Sequence, residues 1–451
     1  MQAGVLSRTL PIMRSRVLRG LLAFMVLTTP LGVQAQSGVT LASLPEPLRL
    51  VDALLAVSET HPDLQMAHTQ VTAAQIRLEQ VESSYGLDAF VELQPRLASK
   101  ASVSGVDFED DSRYGLVLSK RLMDFGRSES EKEAASAALK AQQVAFLVRR
   151  DRLTLNIMER FFAVILADYT YRLFDERLAI SYFRYIRMAE RRDRFEQYSD
   201  LEVAEHEALY RKAYAARLQA DLRRRQTRHV LALALGRPGE LSKELVTPDL
   251  AVYRDRELPP YTELADQVIS KSPALQARRQ DVAAAQAAVD VAQKLNSPVL
   301  SAEFEAREYS NTASASRDRY RANLKFNVPL FNGTGQRDTE VALARNTLLH
   351  EQAELLSAEY AVREKVLALL VGLEINRAQA LAASAQETYR SYYQDHSRAL
   401  YELEMRSDLG DAQAAAAEAM LEVIRVDFQH ALLWAQIDAL LGLPTALIQE
   451  N

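Results

Sequence analysis

Residues 299–328 alternate between apolar and polar, whereas the residues that follow repeat their apolar positions every three or four. Tyr320, Ala322, Leu324, Phe326 and Val328 stand against Arg321, Asn323, Lys325 and Asn327, the period of two that gives a strand one oily and one wet face. Leu300, Ala302, Phe304 and Ala306 against Ser301, Glu303, Glu305 and Arg307 predict its hairpin partner, so strands are expected at about 299–309 and 319–328. A looser pair is expected earlier, at about 87–98 and 113–121. There Leu87, Ala89, Val91 and Leu93 precede Tyr114, Leu116 and Leu118, Phe90 and Val117 blur the alternation, and an acidic loop, Asp107 to Asp111, lies between. From Ser128 to Tyr198 the chain contains no proline or glycine. Val144, Val148, Leu155, Met158, Phe162, Ile165, Tyr169 and Leu173 form one stripe of a helix that at about 1.5 Å per residue is roughly 100 Å long. Leu355, Val362, Val366, Leu369 and Leu373 repeat the stripe later, with alanine-rich stretches beyond it. Spacing near 3.5 favours coiled-coil packing, with helical reversals expected at Tyr198 to Leu201 and at Arg406 to Asp411.

The two halves are copies. His61-Pro62-Asp63-Leu64-Gln65 returns as Ser272-Pro273-Ala274-Leu275-Gln276, Ser199-Asp200-Leu201 as Ser407-Asp408-Leu409, and Leu235-Gly236-Arg237-Pro238 as Leu441-Gly442-Leu443-Pro444. The expected organisation is a first repeat over 36–238, a linker over 239–260, a second repeat over 261–444 and a tail over 445–451. Each repeat reads as helix, strand hairpin and long helical hairpin, a mainly α fold with a β-barrel part. Lipid accepts only closed barrels, the smallest of about eight strands, and one copy offers four, so several copies must share a barrel.

Residues 1–35 read as a secretory signal peptide: Arg8, Arg14, Arg16 and Arg19 precede an apolar run from Leu21 to Leu31, and Val33-Gln34-Ala35 offers a cleavage site. No later window has about 18 uninterrupted apolar residues, so no membrane-spanning helix is expected. The net charge of -6 gives no global basic surface, so no nucleic-acid partner is expected. The absence of cysteine excludes disulfides and thiolate metal sites.

Catalytic, cofactor and metal chemistry are not expected either. His206-Glu207 and His350-Glu351 lack the second histidine of a zinc helix motif, and His61 and His68 are seven apart. Gly333-Thr334-Gly335 lacks the lysine of a phosphate loop and reads better as a strand-to-helix corner, while Asp107 to Asp111 reads as a solvated loop.

From about Leu48 to Pro444 the chain resembles the TolC-like outer-membrane efflux protein family. The family's strand-to-helix motif matches Pro329-Leu330-Phe331-Asn332-Gly333, followed by Gly335, and more loosely Arg121-Leu122-Met123-Asp124-Phe125-Gly126. The resemblance implies a homotrimer with a 12-stranded barrel in the outer membrane of a Gram-negative bacterium, continued by an α-helical tunnel that places most of the mass in the periplasm. It implies a passive exit duct for tripartite efflux or type I secretion, partnered by a periplasmic adaptor and an inner-membrane pump. The family's tunnel-end segment resembles Tyr401 to Asp411, with Tyr401 and Arg406 at gating positions. Gly410 and Gln413 stand where well-known members carry acidic rings. Asp408 and Asp411 could substitute in that ring, or could satisfy free amides at a helix start. The rival from another class is a soluble periplasmic coiled-coil adaptor or scaffold whose strands pack in water.

Overall fold

The computed structural model describes residues 43–57, 61–102, 105–239, 243–310, 318–329, 335–403 and 408–444. The expected signal peptide and tail, Leu330 to Gly333 and Arg406 lie outside the described residues. In chain order the elements are α1 (Leu50–Leu55), α2 (Pro62–Ser83), β1 (Leu87–Gln94), β2 (Leu97–Ser102), β3 (Gly105–Asp110), β4 (Arg113–Met123), α3 (Arg127–Phe195) and α4 (Asp200–Ala234). They continue as α5 (Ala251–Arg254), α6 (Tyr261–Lys271), α7 (Pro273–Gln293), β5 (Val299–Tyr309), β6 (Tyr320–Asn327), α8 (Gln336–Glu402) and α9 (Leu409–Leu440).

Four strands form one antiparallel sheet in the order β1-β4-β5-β6, so the two copies join through β4 and β5. Opposite residues of an antiparallel pair share a face, and the register gathers most apolar side chains on one face and most charges on the other. Leu93, Tyr114 and Glu308 align across three strands, as do Val91, Leu116, Ala306 and Tyr320 across all four. Leu118, Phe304 and Ala322 fall on that same face. The other face carries Glu92, Arg113, Glu303, Glu305, Arg307, Arg321 and Lys325. Phe90 and Val117, which blurred the pattern, sit opposite each other on this polar face.

Two features depart from expectation. The first strand stops at Gln94, before Pro95, which has no amide to donate to a ladder. The stretch read as an acidic loop is largely a second hairpin, β2 paired with β3 from Leu97↔Asp110 to Ser102↔Gly105. Val106 and Phe108 alternate there with Asp107 and Glu109, and the charge density hid a period of two. The stretch read as a linker also packs. Leu245 bridges Leu48, and Tyr253 on α5 is wholly buried in the main core.

The helices form four rods. α3 runs 69 residues without a break, and α8 runs 67. The other two rods are each two helices stacked end to end, and the repeated sequence landmarks are the junctions. α4 ends at Gly236 (φ 70°), where the amides of Gly236 and Arg237 return to the carbonyls of Leu233 and Ala232. α9 ends identically at Gly442 (φ 71°), with Gly442 and Leu443 returning to Ala439 and Asp438. This is the Schellman closure, which needs a left-handed residue that glycine adopts without strain. The next helix starts against each glycine. His61 opens α2, its Nδ1 accepting the Asp63 amide at 3.2 Å, and a Cβ on Gly236 would approach its ring to 3.2 Å. Pro273 opens α7, and a Cβ on Gly442 would lie 2.9 Å from its Cγ.

Near the sheet the rods are ordered α2-α3-α7-α8, and farther away α4-α3-α9-α8. Phe162 of α3 stacks on Phe428 of α9 with ring centroids 4.2 Å apart, joining the copies again. Within Arg337–Glu402 one 18-residue window has a mean hydropathy of 1.4 and is one-third buried. The rod containing it is about 100 Å long, far more than the roughly 30 Å hydrocarbon thickness that a spanning helix matches.

Gly442→Ala should lower stability by about 1–3 kcal/mol, because it adds left-handed strain to a collision with Pro273. Denaturant unfolding followed by circular dichroism measures this, and Gly239→Ala, with φ 86° but nothing within 4 Å, separates the strain from the collision.

Candidate functional site

The sheet and the far ends of the helices carry the features that could act. On the polar face Glu92 of β1, Gly115 of β4 and Arg307 of β5 lie in one row. Arg307 reaches over the glycine to Glu92 at 3.2 Å, while Arg113 meets the same carboxylate at 3.1 Å and Glu305 holds Arg307 at 2.9 Å. A side chain at Gly115 would block that reach, since its Cβ would stand 2.8 Å from Arg307 Cγ. Lys325 pairs with Glu303 at 2.6 Å farther along. One face is thus a charged lattice, whereas Leu87, Val91, Leu93, Tyr320, Leu324 and Phe326 leave the other exposed and apolar.

The corners between sheet and rods are glycine turns. Gly126 (φ 85°) precedes α3, and its carbonyl accepts from Lys294 Nζ at 3.2 Å, while the same amine donates to Ser130 Oγ at 2.8 Å. Asp124 accepts from the Ser128 amide and hydroxyl, both at 3.0 Å. Gly335 (φ 94°) precedes α8 with open space around it, and Pro329 closes the strand side.

At the far tips, α3 and α4 reverse between Phe195 and Asp200. Ser199 and Glu202 form a reciprocal capping box there. α8 and α9 reverse between Glu402 and Leu409. Tyr401 sits exposed on the last turn of α8. Asp408 occupies the N-cap of α9 but makes no capping bond. Its Oδ2 instead accepts from Tyr393 Oη of α8 at 3.1 Å, so the amide-satisfying reading does not hold for this residue. Asp411 accepts from Arg184 Nη2 of α3 at 2.5 Å.

Sequence reasoning did not pick out Arg184, Arg177 or Tyr393. Arg177 pairs with Glu418 at 2.6 Å, one heptad from the first pair, because 177 to 184 and 411 to 418 are both steps of seven on antiparallel helices. The equal steps were visible, but the register that matches them was not. Beside the ladder, a Cβ on Gly410 would come within 3.1 Å of Ile180 Cγ1, which lies between Arg177 and Arg184 on α3. The position that lacks the expected acid is therefore one where a side chain would press on Ile180 of α3. The structure brings Asp411 to α3, joins Asp408 to α8, and leaves Tyr401 lining an approximately 700 Å³ groove with Arg184, Arg187 and His206.

The outer membrane efflux protein family model matches residues 264–443. Solved structures match over both repeats. The Campylobacter jejuni CmeC outer membrane channel has a TM-score of 0.72 at 16% identity, covering 87% of this chain and 85% of that one. The Vibrio cholerae outer membrane protein VceC gives 0.70 at 15%, covering 87% and 96%, and the open state of the Neisseria gonorrhoeae MtrE outer membrane channel gives 0.68 at 18%, covering 88% and 89%. The second repeat thus matches the outer membrane efflux protein family by sequence, and the chain shares the fold of these outer-membrane channels over both repeats. No curated protein matches it by sequence.

The α3–α9 ladder ties one helical hairpin to the other at the end remote from the sheet. Both pairs are partly exposed, the carboxylates by more than half, so each contributes about 0–1 kcal/mol and is screened by salt. The Arg177→Ala/Arg184→Ala variant should therefore separate the two tips at low salt, measured as a longer or broader distance between spin labels on the tips. Wild-type protein in about 1 M salt, where the Debye length is about 3 Å, should move toward the variant's distribution.

Gly115→Val should destabilise the sheet by about 1–3 kcal/mol by displacing Arg307. Ser119→Val, on the same face of the same strand, should stay within about 0.5 kcal/mol. Heat unfolding of the two variants side by side checks the difference.

Proposed function

We propose that this chain is the outer-membrane channel of an efflux system, closing as a homotrimer into a passive duct. One observation carries the reading: sheet and helical layer end in unpartnered edges on the same two sides. β1, α2 and α4, all from the first repeat, form one edge, and β6 and α8, from the second, form the other. α8 carries an exposed stripe of Leu349, Leu356, Tyr360, Leu367 and Val371 at steps of seven and four, while α4 exposes Tyr214, Leu218 and Leu222 at steps of four. These are coiled-coil spacings without a partner among the described residues.

Joining β6 of one copy to β1 of the next continues the antiparallel alternation, because four strands is an even number. The contact is heterologous, so it must close into a ring. Two copies would give eight strands, whose interior side chains fill the space, and three give twelve and leave room for water around the charged face. The apolar face then meets lipid, the charged lattice lines the lumen, and the helices continue the wall into the periplasm. The belt formed by 43–57 and 243–271 lies on the outside of that wall.

Transport is driven elsewhere, by an inner-membrane pump coupled through a periplasmic adaptor, for drug efflux or type I secretion. The tips form the entrance, with Tyr401, Arg406, Asp408 and Asp411 at its closure. A soluble adaptor or scaffold would need its apolar sheet face covered, and among the described residues nothing covers it.

The detergent-solubilised protein should have the mass of three chains, remain with membranes in carbonate, and conduct in planar bilayers. A monomer released by carbonate and silent in bilayers would overturn the reading.

A further inference from the structure

A cavity of about 650 Å³ opens where α7 stacks on α9, and α3 and α8 contribute its other sides. Its position relative to the belt is set by helix geometry. Asp427, His430, Trp434 and Asp438 on α9 all face the belt: Arg254 holds Asp427 and Arg256 holds Asp438 at 2.8 Å each, His430 lies 3.1 Å from the Tyr253 carbonyl, and the Arg256 guanidinium stacks over Trp434. The α9 residues that line the cavity, among them Leu432, Leu433, Gln436 and Leu440, lie roughly 160° round the helix from that face at about 100° per residue. The cavity therefore opens on the side of the wall away from the belt. On the proposed reading that side is the lumen, and the inference rests on that reading.

The lining combines chemistries that a featureless water-filled tube does not need. Leu155, Leu432, Leu433 and Leu440 supply a half-buried apolar floor beside Pro273. Asp151 stands among them, half-buried, with Arg150 as its cation at a long 3.5 Å and burial raising its carboxyl pKa above the ordinary value. Arg152, Glu159 and Lys365 are exposed at the rim, where water screens them. The deepest charge is thus a poorly compensated carboxylate against apolar surface, the complement of an amine carried on an apolar body.

We propose that this cavity is a low-affinity subsite in the channel wall for cationic amphiphiles, which lay the apolar body on the leucines and the amine against Asp151. Such a site would hold a passing molecule briefly at the level of the belt. An anionic amphiphile of the same size would have to place its charge at the exposed rim, where Glu159 opposes Arg152 and Lys365.

The test uses the intact assembly in detergent, with its bilayer conductance established first. Ethidium, a flat aromatic cation, and fluorescein, a flat aromatic anion, are titrated against it by fluorescence polarisation. Ethidium should bind and fluorescein should bind at least tenfold more weakly. Asp151→Asn should weaken ethidium roughly tenfold or more, the size of a lost charge-assisted contact, in an assembly that still forms trimers and conducts. Asp151 has a raised pKa, so it protonates sooner than an ordinary carboxylate as pH falls. Ethidium binding by the wild-type protein should consequently weaken as pH falls, before an ordinary exposed carboxylate would protonate, a readout that needs no variant.

A conducting assembly that binds both dyes equally, or binds ethidium equally well in Asp151→Asn and across that pH range, overturns the subsite and leaves the channel intact. Failure to conduct at all would instead strike the channel reading.

Discussion

An open array of strands and helices has to be closed by something, and this requirement shapes the whole molecule. A sheet edge presents a row of unpaired amides and carbonyls that cannot be left in hydrocarbon. A helix with an exposed heptad stripe is similarly incomplete in water. The fold aligns the two deficits, because β1 continues through α2 and α4 on one side and β6 continues into α8 on the other. A single type of contact can therefore satisfy both layers. Had the free strand edge and the free helix stripe lain on different sides, closing the sheet would not have closed the helical wall.

That alignment depends on the duplication and on two glycines. Each copy supplies an unbroken rod, α3 or α8, and a broken rod whose halves meet at Gly236 or Gly442. The break lets the chain leave the rod, pass through the belt, and re-enter with the same axis. The wall consequently stays four rods wide along its length although the chain enters and leaves it repeatedly. Close contact between the glycine and the following His61 or Pro273 keeps the halves stacked, and the Schellman bonds satisfy the carbonyls that the break exposes. Phe162 on Phe428, together with the β4–β5 ladder, then joins the copies into one wall segment.

Much of this was legible in the residues. Period-two runs marked β1, β4, β5 and β6, and apolar stripes marked α3 and α8, because these elements bury one face and leave the other wet. The Leu-Gly and Ser-Pro or His-Pro landmarks flagged the duplication, but their meaning as two sides of one junction required knowing that they touch. The β2–β3 hairpin was hidden because acidic residues fill its polar positions so densely that the segment reads as solvated loop. The belt around Tyr253 was hidden because its burial depends on α9, some 180 residues away in sequence. Asp411 was visible as a charge near a helix start, while Arg184, 227 residues away, could be identified only from the register.

The tips follow from the same register. Antiparallel helices that match at one heptad match again at the next, so Arg184 with Asp411 requires Arg177 near Glu418. The pairs are partly exposed and weak, and they contribute less than the buried cluster of Leu173, Ala414 and Leu421 beside them. Weakness suits the end of the rods, where packing thins and Gly410 lets the backbone of α9 approach Ile180 without filling the space between. The seam between α3 and α9 thus combines buried apolar packing with partly exposed charge pairs that salt screens. Among the described residues, the charge pairs between α3 and α9 fall toward the ends of the rods remote from the sheet.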